Sequence, residues 1–329
     1  MRRHVLVLTY ADDAHAERLA TELDKLDGRA LLVPRGSILD WRFESDGERL
    51  SISGPNFPTQ DARNFSAAFL RCLPRSTDFG AGDNKADLEP QEYIGVQRES
   101  LFFDWLHTLS LYIPFFNEVA PTARSSGKVF QRLLARRVGL QTPEEYSGDN
   151  PDHARAFAER IWASGFEVCT KAIAAKNLLL SGQRLTRYTE KLQRSQIDDL
   201  AYLSGCPLIF QNFLPKAYEL RVTVVGDRIL ACRIDSQQAG GDTAIDWRNY
   251  NIPRTPHHQY ELPANIAARL LEFHRVAGLR YSAFDFVRTT DGKYVFLETN
   301  AFGQWLWIED LTGLPITATV AAELIASAS

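Results

Sequence analysis

Three oxygen-bearing side chains near the end of the sequence could hold a metal ion. Glu298 and Asn300 stand two residues apart in "VFLETNAFGQW", and Asp285 lies upstream in "AFDFV". Successive side chains of a strand point to opposite faces, so Glu298 and Asn300 share one face. The turn "TTDG" would bring the strand of Asp285 back beside them. Such a patch suits Mg²⁺, which prefers oxygen ligands and shares them with phosphates. The alternative is a solvated strand face, but acids in apolar strands are costly unless they are paired.

Basic residues within apolar segments could bind those phosphates. Lys128 opens a predicted helix, where backbone N–H groups favour an anion, and Lys171 lies in the strand "VCTKAI". Arg221 and Arg233 occupy the two arms of a predicted hairpin, and Arg248 ends the tripeptide "DWR". Each residue alone could be a solvated surface charge. Their placement within apolar strands favours a shared anion site.

Strands, helices and turns must position these residues, and the pattern predicts an open α/β unit at the start. A strand over 5–8, a helix over 14–26 and the strand "ALLVP" follow one another. A pair of short strands is predicted around "SDGE", and a helix over 91–112. We expect this first domain, residues 1–120, to close after "IPFFNEVAP".

The sequence after residue 120 predicts a central α/β domain, residues 121–206, and a C-terminal antiparallel-sheet domain, residues 207–329. Ser125 or Ser126 is predicted to cap a helix that ends at Gly139. A helix over 152–164, the strand "FEVCTKAI" and a hairpin across "SGQR" follow. The third domain contains the strand "PLIFQNFLP", a hairpin with its turn at "GD", a helix over 263–277 and two final strands. The apolar face of the capped helix is predicted to be Val129, Phe130, Leu133, Leu134 and Val138.

The overall composition argues against several classes of protein. The 329 residues are 45% hydrophobic and 24% charged, with a net charge of −4, so no basic field is available for nucleic acid. No apolar stretch is long enough to span a membrane. The four cysteines are isolated, which favours reduced thiols and a cytoplasmic location. A P-loop, a GxGxxG fingerprint, a GxSxG elbow and an HExxH motif are all missing.

Taken together, the motifs resemble those of the ATP-grasp ligases. The order matches: a lysine at a helix start, a lysine on a strand, the linker "IFQNFLPK", the "ELR" hairpin and the terminal Asp and Glu-x-Asn set. More narrowly, the segments "FQNFLPKAYELRVTVVGDRILACRIDSQ", "DWR" and "FLETNAFGQWLWIEDLTGLPI" resemble the microviridin-type peptide maturases, which make graspetides. The resemblance covers roughly residues 120–325 and implies an ATP-grasp fold.

The resemblance also implies residue roles. The segment Gln211, Asn212, Phe213 and Leu214 would hold adenine through its backbone, and Glu219 would bind the ribose. The remaining implied roles are ATP phosphate binding by Lys128 and Lys171, Mg²⁺ binding by Asp285, Glu298 and Asn300, and stabilisation of the transferring phosphoryl group by Arg221 and Arg248, with Arg233 as an addition.

The implied activity is that of an ADP-forming carboxylate–amine/alcohol ligase that uses ATP and Mg²⁺. It would join Asp or Glu side chains of a ribosomally made precursor peptide to Ser/Thr hydroxyls or Lys amines. The hairpin around Ser181 and Arg184 would contact the leader segment of that peptide, or would instead be a plain lid over ATP. We further expect a homodimer. Two alternatives remain: a ligase that adds amino acids to a peptide or protein terminus, and a catalytically silent peptide-binding partner.

Overall fold

The N-terminal segment contains a parallel sheet of order β2-β1-β6-β7 and a separate antiparallel sheet of order β3-β4-β5. The computed structural model describes residues 3–81, 88–174, 178–180, 183–185, 189–203, 205–239 and 255–327. Asp13 caps the first helix by accepting a hydrogen bond from the backbone N–H of His15. The predicted strand, helix and strand at the start are confirmed. The elements are β1 (Arg3–Thr9), α1 (Ala14–Lys25), β2 (Gly28–Pro34), β3 (Arg42–Ser45), β4 (Leu50–Gly54), β5 (Phe57–Asp61), β6 (Ala67–Leu70), α2 (Pro90–Leu109), β7 (Phe115–Phe116) and α3 (Val119–Ser125).

The central segment forms an antiparallel sheet of order β12-β9-β13-β8, whose apolar side chains pack against α5. The predicted hairpin is present as the antiparallel pair β10–β11, but Ser181 and Gly182 lie outside the described residues. The elements are α4 (Lys128–Arg137), β8 (Glu145–Gly148), α5 (Pro151–Ala163), β9 (Val168–Ala172), β10 (Leu178–Leu180), β11 (Gln183–Leu185), β12 (Glu190–Lys191) and β13 (Leu208–Asn212).

Lys128 is the first residue of α4, as predicted, but the predicted serine N-cap is wrong. The N-cap of α4 is Gly127, whereas Ser125 is the last residue of α3 and Ser126 caps that helix at its C-terminal end. The predicted apolar face is wrong in part as well, because Val129 and Leu133 are 53% and 61% exposed. The buried face instead includes two polar side chains that have partners inside the protein, Gln131 and Arg132.

The C-terminal segment forms a five-stranded antiparallel sheet of order β16-β15-β14-β17-β18. On one face of this sheet, apolar side chains pack against α4 and against the helix at residues 264–277. On the other face, they pack against the helix at residues 316–326 and against the N-terminal sheet. The predicted hairpin, helix and final strands are confirmed; the two helices after residue 300 were not predicted. The elements are β14 (Lys216–Val225), β15 (Arg228–Ile234), α6 (Ser236–Ala239), β16 (His257–Tyr260), α7 (Ala264–Ala277), β17 (Tyr281–Thr289), β18 (Tyr294–Asn300), α8 (Leu306–Thr312) and α9 (Ile316–Ala326).

Short 3₁₀ turns connect several of these elements, and in the described part of the chain every helix is too short or too polar to cross a bilayer. The mixed α/β class is confirmed, while the division into domains at residues 120 and 206 stays a prediction. The 3₁₀ turns are Arg35–Asp40, Ala62–Asn64, Ser76–Phe79, Arg194–Gln196 and Asp198–Leu203.

Candidate active site

A cleft lies between the central sheet and the C-terminal sheet. It contains about 600 Å³ of empty space, part of which is open to solvent. Strands β9 and β13 form one wall, β14, β17 and β18 form the other, and residues 212–214 connect the two. The predicted site residues that line this cleft are Lys171, Gln211, Asn212, Phe213, Leu214, Glu219, Asp285 and Glu298.

The structure brings two of the predicted metal ligands face to face. Asp285 on β17 is the direct cross-strand partner of Glu298 on β18, and a bulge follows immediately between Asp285 and Phe286. Asn300 lies two residues further along the same face of β18, opposite Ala283. Its amide oxygen accepts a hydrogen bond of 2.8 Å from the backbone N–H of Phe302.

This donor set fits Mg²⁺. Within the described ranges, no group of three or more His, Cys, Asp or Glu side chains could hold a metal ion. Two carboxylates from Asp285 and Glu298 would therefore need Asn300, water or a phosphate oxygen to complete the coordination. Mg²⁺ is commonly bound in this way, by one or two carboxylates together with substrate phosphates.

Arg221 forms a buried ion pair with one of these carboxylates. Its Nη1 lies 3.0 Å from each carboxylate oxygen of Asp285, its cross-strand partner on the neighbouring β17. Burial by itself would lower the pKa of the Arg221 guanidinium, but the Asp285 carboxylate outweighs it and the pKa is raised. The guanidinium therefore stays charged beside Asp285, which lines the cleft.

Both predicted lysines lie close to the other carboxylate. The Lys128 Nζ is 3.3 Å from Glu298 Oε2 and also donates to the backbone carbonyl of Ala172 on β9, at 3.3 Å. Burial lowers the pKa of Lys171, and the negative charge of Glu298 opposes this shift. A phosphate bound here would favour the charged form of Lys171 for the same electrostatic reason.

A second buried pair lies where the nucleoside would be held. Lys216 Nζ donates to Glu219 Oε1 at 2.8 Å, and both side chains are less than a tenth exposed. The ring of Phe213 lies 4.4 Å from the Lys191 ammonium and 5.8 Å from the Lys216 ammonium. Lys216 stands in the linker "IFQNFLPK" but was not predicted, because a single lysine is more commonly a solvated surface charge.

One of the predicted arginines, Arg233, is not brought to the cleft. Arg233 pairs with Leu220, whereas Arg221 pairs with Cys232, so the two arginines lie on opposite faces of the sheet. The Arg233 guanidinium stacks over the ring of Tyr218 at 4.1 Å, and its Nε donates to Asp235 at 2.7 Å. Arg248 lies outside the described residues.

The segment "FGQWLW" contributes to packing beneath the cleft. Trp305 is fully buried, and the guanidinium of Arg71, itself buried, lies 4.7 Å from its ring. Arg71 also forms an ion pair of 3.2 Å with Asp13 at the start of α1. The His15 Nε2 accepts from the backbone N–H of Trp305 at 3.1 Å. These residues join the N-terminal sheet to the loop that follows β18, and the roles of Arg71, Asp13 and His15 were not predicted.

Comparison with known proteins finds similarity at the level of structure. No protein-family model matches the chain, and no curated protein matches it. The macrocyclase MdnC of Microcystis aeruginosa MRC, solved with its precursor peptide MdnA, is 25% identical, with a TM-score of 0.83 over 98% of this chain and 99% of that one.

Two further structures are similar in fold. A RiPP-associated ATP-grasp ligase of Chryseobacterium gregarium, in complex with ADP and a leader and core peptide, has a TM-score of 0.84 at 24% identity, over 99% of this chain and 98% of that one. The ATP-grasp ligase PsnB, with a minimal precursor, Mg and ADP, has a TM-score of 0.76 at 22% identity, over 99% and 97%. The chain thus has the ATP-grasp fold and resembles, along its whole length, ligases that act on ribosomally made precursor peptides.

Proposed function

We propose that the chain is an ADP-forming ATP-grasp ligase that crosslinks a precursor peptide through its side chains. The observation that carries this proposal is the convergence of two lysines and two carboxylates on one cleft of an ATP-grasp fold. Lys128 and Lys171 approach Glu298, which lies directly opposite Asp285. Cations and metal-binding carboxylates in contact are what transfer of a phosphoryl group requires.

The nucleotide would lie with its base at the linker, residues 211–214, and its phosphates at the lysines. Glu219, held by Lys216, would accept hydrogen bonds from the ribose hydroxyls. Asp285, Glu298 and Asn300 would hold Mg²⁺, which supplies charge neutralisation at the phosphates. Because Arg221 already contacts Asp285, it would orient that carboxylate while it carries its own positive charge toward the transferring group.

The reaction would proceed in two steps. An Asp or Glu carboxylate oxygen of the peptide attacks the γ-phosphorus of ATP, and the bond to ADP breaks. A Ser or Thr hydroxyl, or a Lys amine, then attacks the acyl carbon, so that phosphate leaves with the carboxylate oxygen and a proton is released. Each link costs one ATP and removes one water from the peptide. Positioned cations stabilise both steps, and no enzyme nucleophile takes part.

The remaining predictions on partners and location depend on this function. The substrate is a ribosomal precursor peptide with a leader segment, for which the neighbours solved with leader and core peptides provide support. The chain would act as a cytoplasmic homodimer. Light scattering of the purified protein tests the dimer directly, since a monomer mass at working concentration would contradict it.

Mass spectrometry of a co-expressed precursor peptide tests the function. Crosslinking predicts the loss of one water per link, whereas a residue-sized gain would indicate terminal ligation. An unchanged peptide in the presence of ATP would favour a silent binding partner and overturn the proposal.

A matched pair of variants tests the metal site. Glu298→Gln should abolish the modification and leave the fold intact, because the side chain keeps its size but loses the charge that faces Lys128. Glu272→Gln is the control, since it removes an exposed carboxylate whose partner is Arg275 on the same helix. Turnover by the Glu298 variant equal to that of the control would contradict the metal assignment.

A further inference from the structure

Gln211 is held in one orientation at the wall of the cleft. Its side chain is almost fully buried and lines the cleft, and its Nε2 donates to Glu145 Oε2 at 2.7 Å. Glu145 is the direct cross-strand partner of Gln211 on β8, on the side away from β9. The contact is therefore fixed by the sheet register and by the side chains together.

Two further donors lie on the Glu145 carboxylate. Arg132 of α4, 4% exposed, forms an ion pair with the same oxygen of Glu145, and the Ser147 hydroxyl donates to the other oxygen at 2.8 Å. Both oxygens of Glu145 therefore act as acceptors, Oε2 toward Arg132 and Gln211 and Oε1 toward Ser147. An oxygen in this role needs a donor opposite it, so the amide of Gln211 turns its NH₂ group toward Glu145.

The orientation of the amide determines what Gln211 offers to a ligand. One N–H of the amide is committed to Glu145, which places the carbonyl oxygen on the other side of the amide group, where it can accept from a polar ligand atom in the cleft. A buried carbonyl oxygen is stabilised by a ligand group that donates a hydrogen bond to it. It is left without a hydrogen bond when the ligand places another acceptor there. Adenine has an exocyclic amine at the edge where hypoxanthine and guanine have a carbonyl oxygen.

We propose that Gln211 is a specificity-determining residue that selects adenine, and that Glu145 and Arg132 are its positioning residues. The Gln211 carbonyl accepts from the exocyclic amine of the base, in addition to the backbone contacts of residues 212–214. A 6-oxopurine would place its oxygen against that carbonyl and would be disfavoured. The inference rests on the proposed function, since it requires the cleft to bind the nucleotide.

Calorimetric titration of the full chain with ATP and with inosine triphosphate tests this inference without any peptide. The two nucleotides differ only at the edge in question. Wild type should bind ATP at least about tenfold more tightly, as expected when a hydrogen bond is replaced by a contact between two acceptors. Equal binding of both would overturn the inference and leave the proposed function standing, whereas binding of neither would overturn both.

The variant Glu145→Gln tests the positioning role. The new amide can donate to the Gln211 carbonyl and lets the Gln211 amide turn over, so the ratio of the two affinities should fall toward one or invert. Because this variant leaves Arg132 without its charge partner, Gln211→Met provides a second test with the ion pair intact, and it should also lower the ratio. Glu144→Gln is the control: this adjacent carboxylate is exposed and pairs with Arg160. An unchanged ratio in both test variants would show that the trio only supports the fold.

Discussion

The glycine of "FGQW" provides a sharp test of how the cleft is built. An alanine Cβ at position 303 would lie 2.3 Å from the Cβ of Ala283, 3.0 Å from Arg221 Nη2 and 3.2 Å from the carbonyl oxygen of Asn300. Real Cβ atoms essentially never approach another carbon to 2.3 Å. Gly303→Ala therefore forces the loop after β18 away from β17, or moves the Arg221 guanidinium from Asp285.

Gly303→Ala should lower both the stability of the fold and the rate of turnover. Overpacking of this kind destabilises a protein by about 1–3 kcal/mol. A displacement of about 1 Å at a positioned catalytic group can reduce turnover by about 100-fold. Urea denaturation measures the stability, and the rate of ADP release with peptide measures the turnover. We expect both to change in Gly303→Ala.

Two controls accompany this prediction: a glycine-to-alanine substitution at an open position, and a second substitution that removes the closest contact of the new Cβ. Gly36→Ala adds a Cβ with no heavy atom within 4 Å, so stability and turnover should stay near wild type. Adding Ala283→Gly to Gly303→Ala removes the closest contact and should restore most of the turnover, at a cost of about 0.5–1 kcal/mol for a glycine within a strand. If Gly303→Ala behaves like Gly36→Ala, the account of the loop packing against Arg221 is refuted.

Two further predictions concern buried titratable groups outside the cleft. The Asp13 carboxyl is taken out of water, which would raise its pKa, but the hydrogen bond with His15 and the charge of Arg71 hold the pKa well below its usual value of 3.8. Its stabilising contribution is therefore present above about pH 4 and is lost as the pH falls. Asp13→Asn should lower the free energy of unfolding at neutral pH by about 3–5 kcal/mol, because it leaves Arg71 without its charge partner. In urea titrations the stability of this variant should depend less on pH in the acid range than that of wild type. An unchanged urea midpoint at neutral pH would contradict the pairing. Burial lowers the pKa of His274 from 6.5 to about 4, so folding is destabilised as the pH falls from 6.5 to 4, by up to about 3 kcal/mol. In His274→Gln the free energy of unfolding should depend less on pH over that interval. The same pH dependence in the variant and in wild type would exclude His274 as the cause.

Local patterns in the sequence predicted the elements that carry the candidate metal site. Alternating apolar residues and the turns at residues 226–227 and 289–292 were sufficient to place β14, β15, β17 and β18. The same information could have separated Arg233 from Arg221. A two-residue turn at Gly226 and Asp227 pairs Arg221 with Cys232, which places Arg233 on the opposite face.

Contacts distant in sequence could not be predicted in this way. Arg71 is 232 residues from Gly303, whose carbonyl it approaches, and nothing near Arg71 marks it as a buried cation. The N-cap of α4 was mispredicted for a different reason. In "RSSGK" a serine or a glycine can serve as the N-cap, and the preceding helix α3, which ends at Ser125, settles the choice.

The central claim is that a substrate carboxylate is activated by phosphoryl transfer. The most direct measurement uses a precursor peptide whose Asp and Glu carboxylates carry an isotopic oxygen label. If the peptide carboxylate attacks the γ-phosphorus, one labelled oxygen per link must leave with inorganic phosphate, in equal amount to the ADP released. The account predicts labelled phosphate and a peptide that has lost one water per link. Unlabelled phosphate together with crosslinked peptide would contradict it.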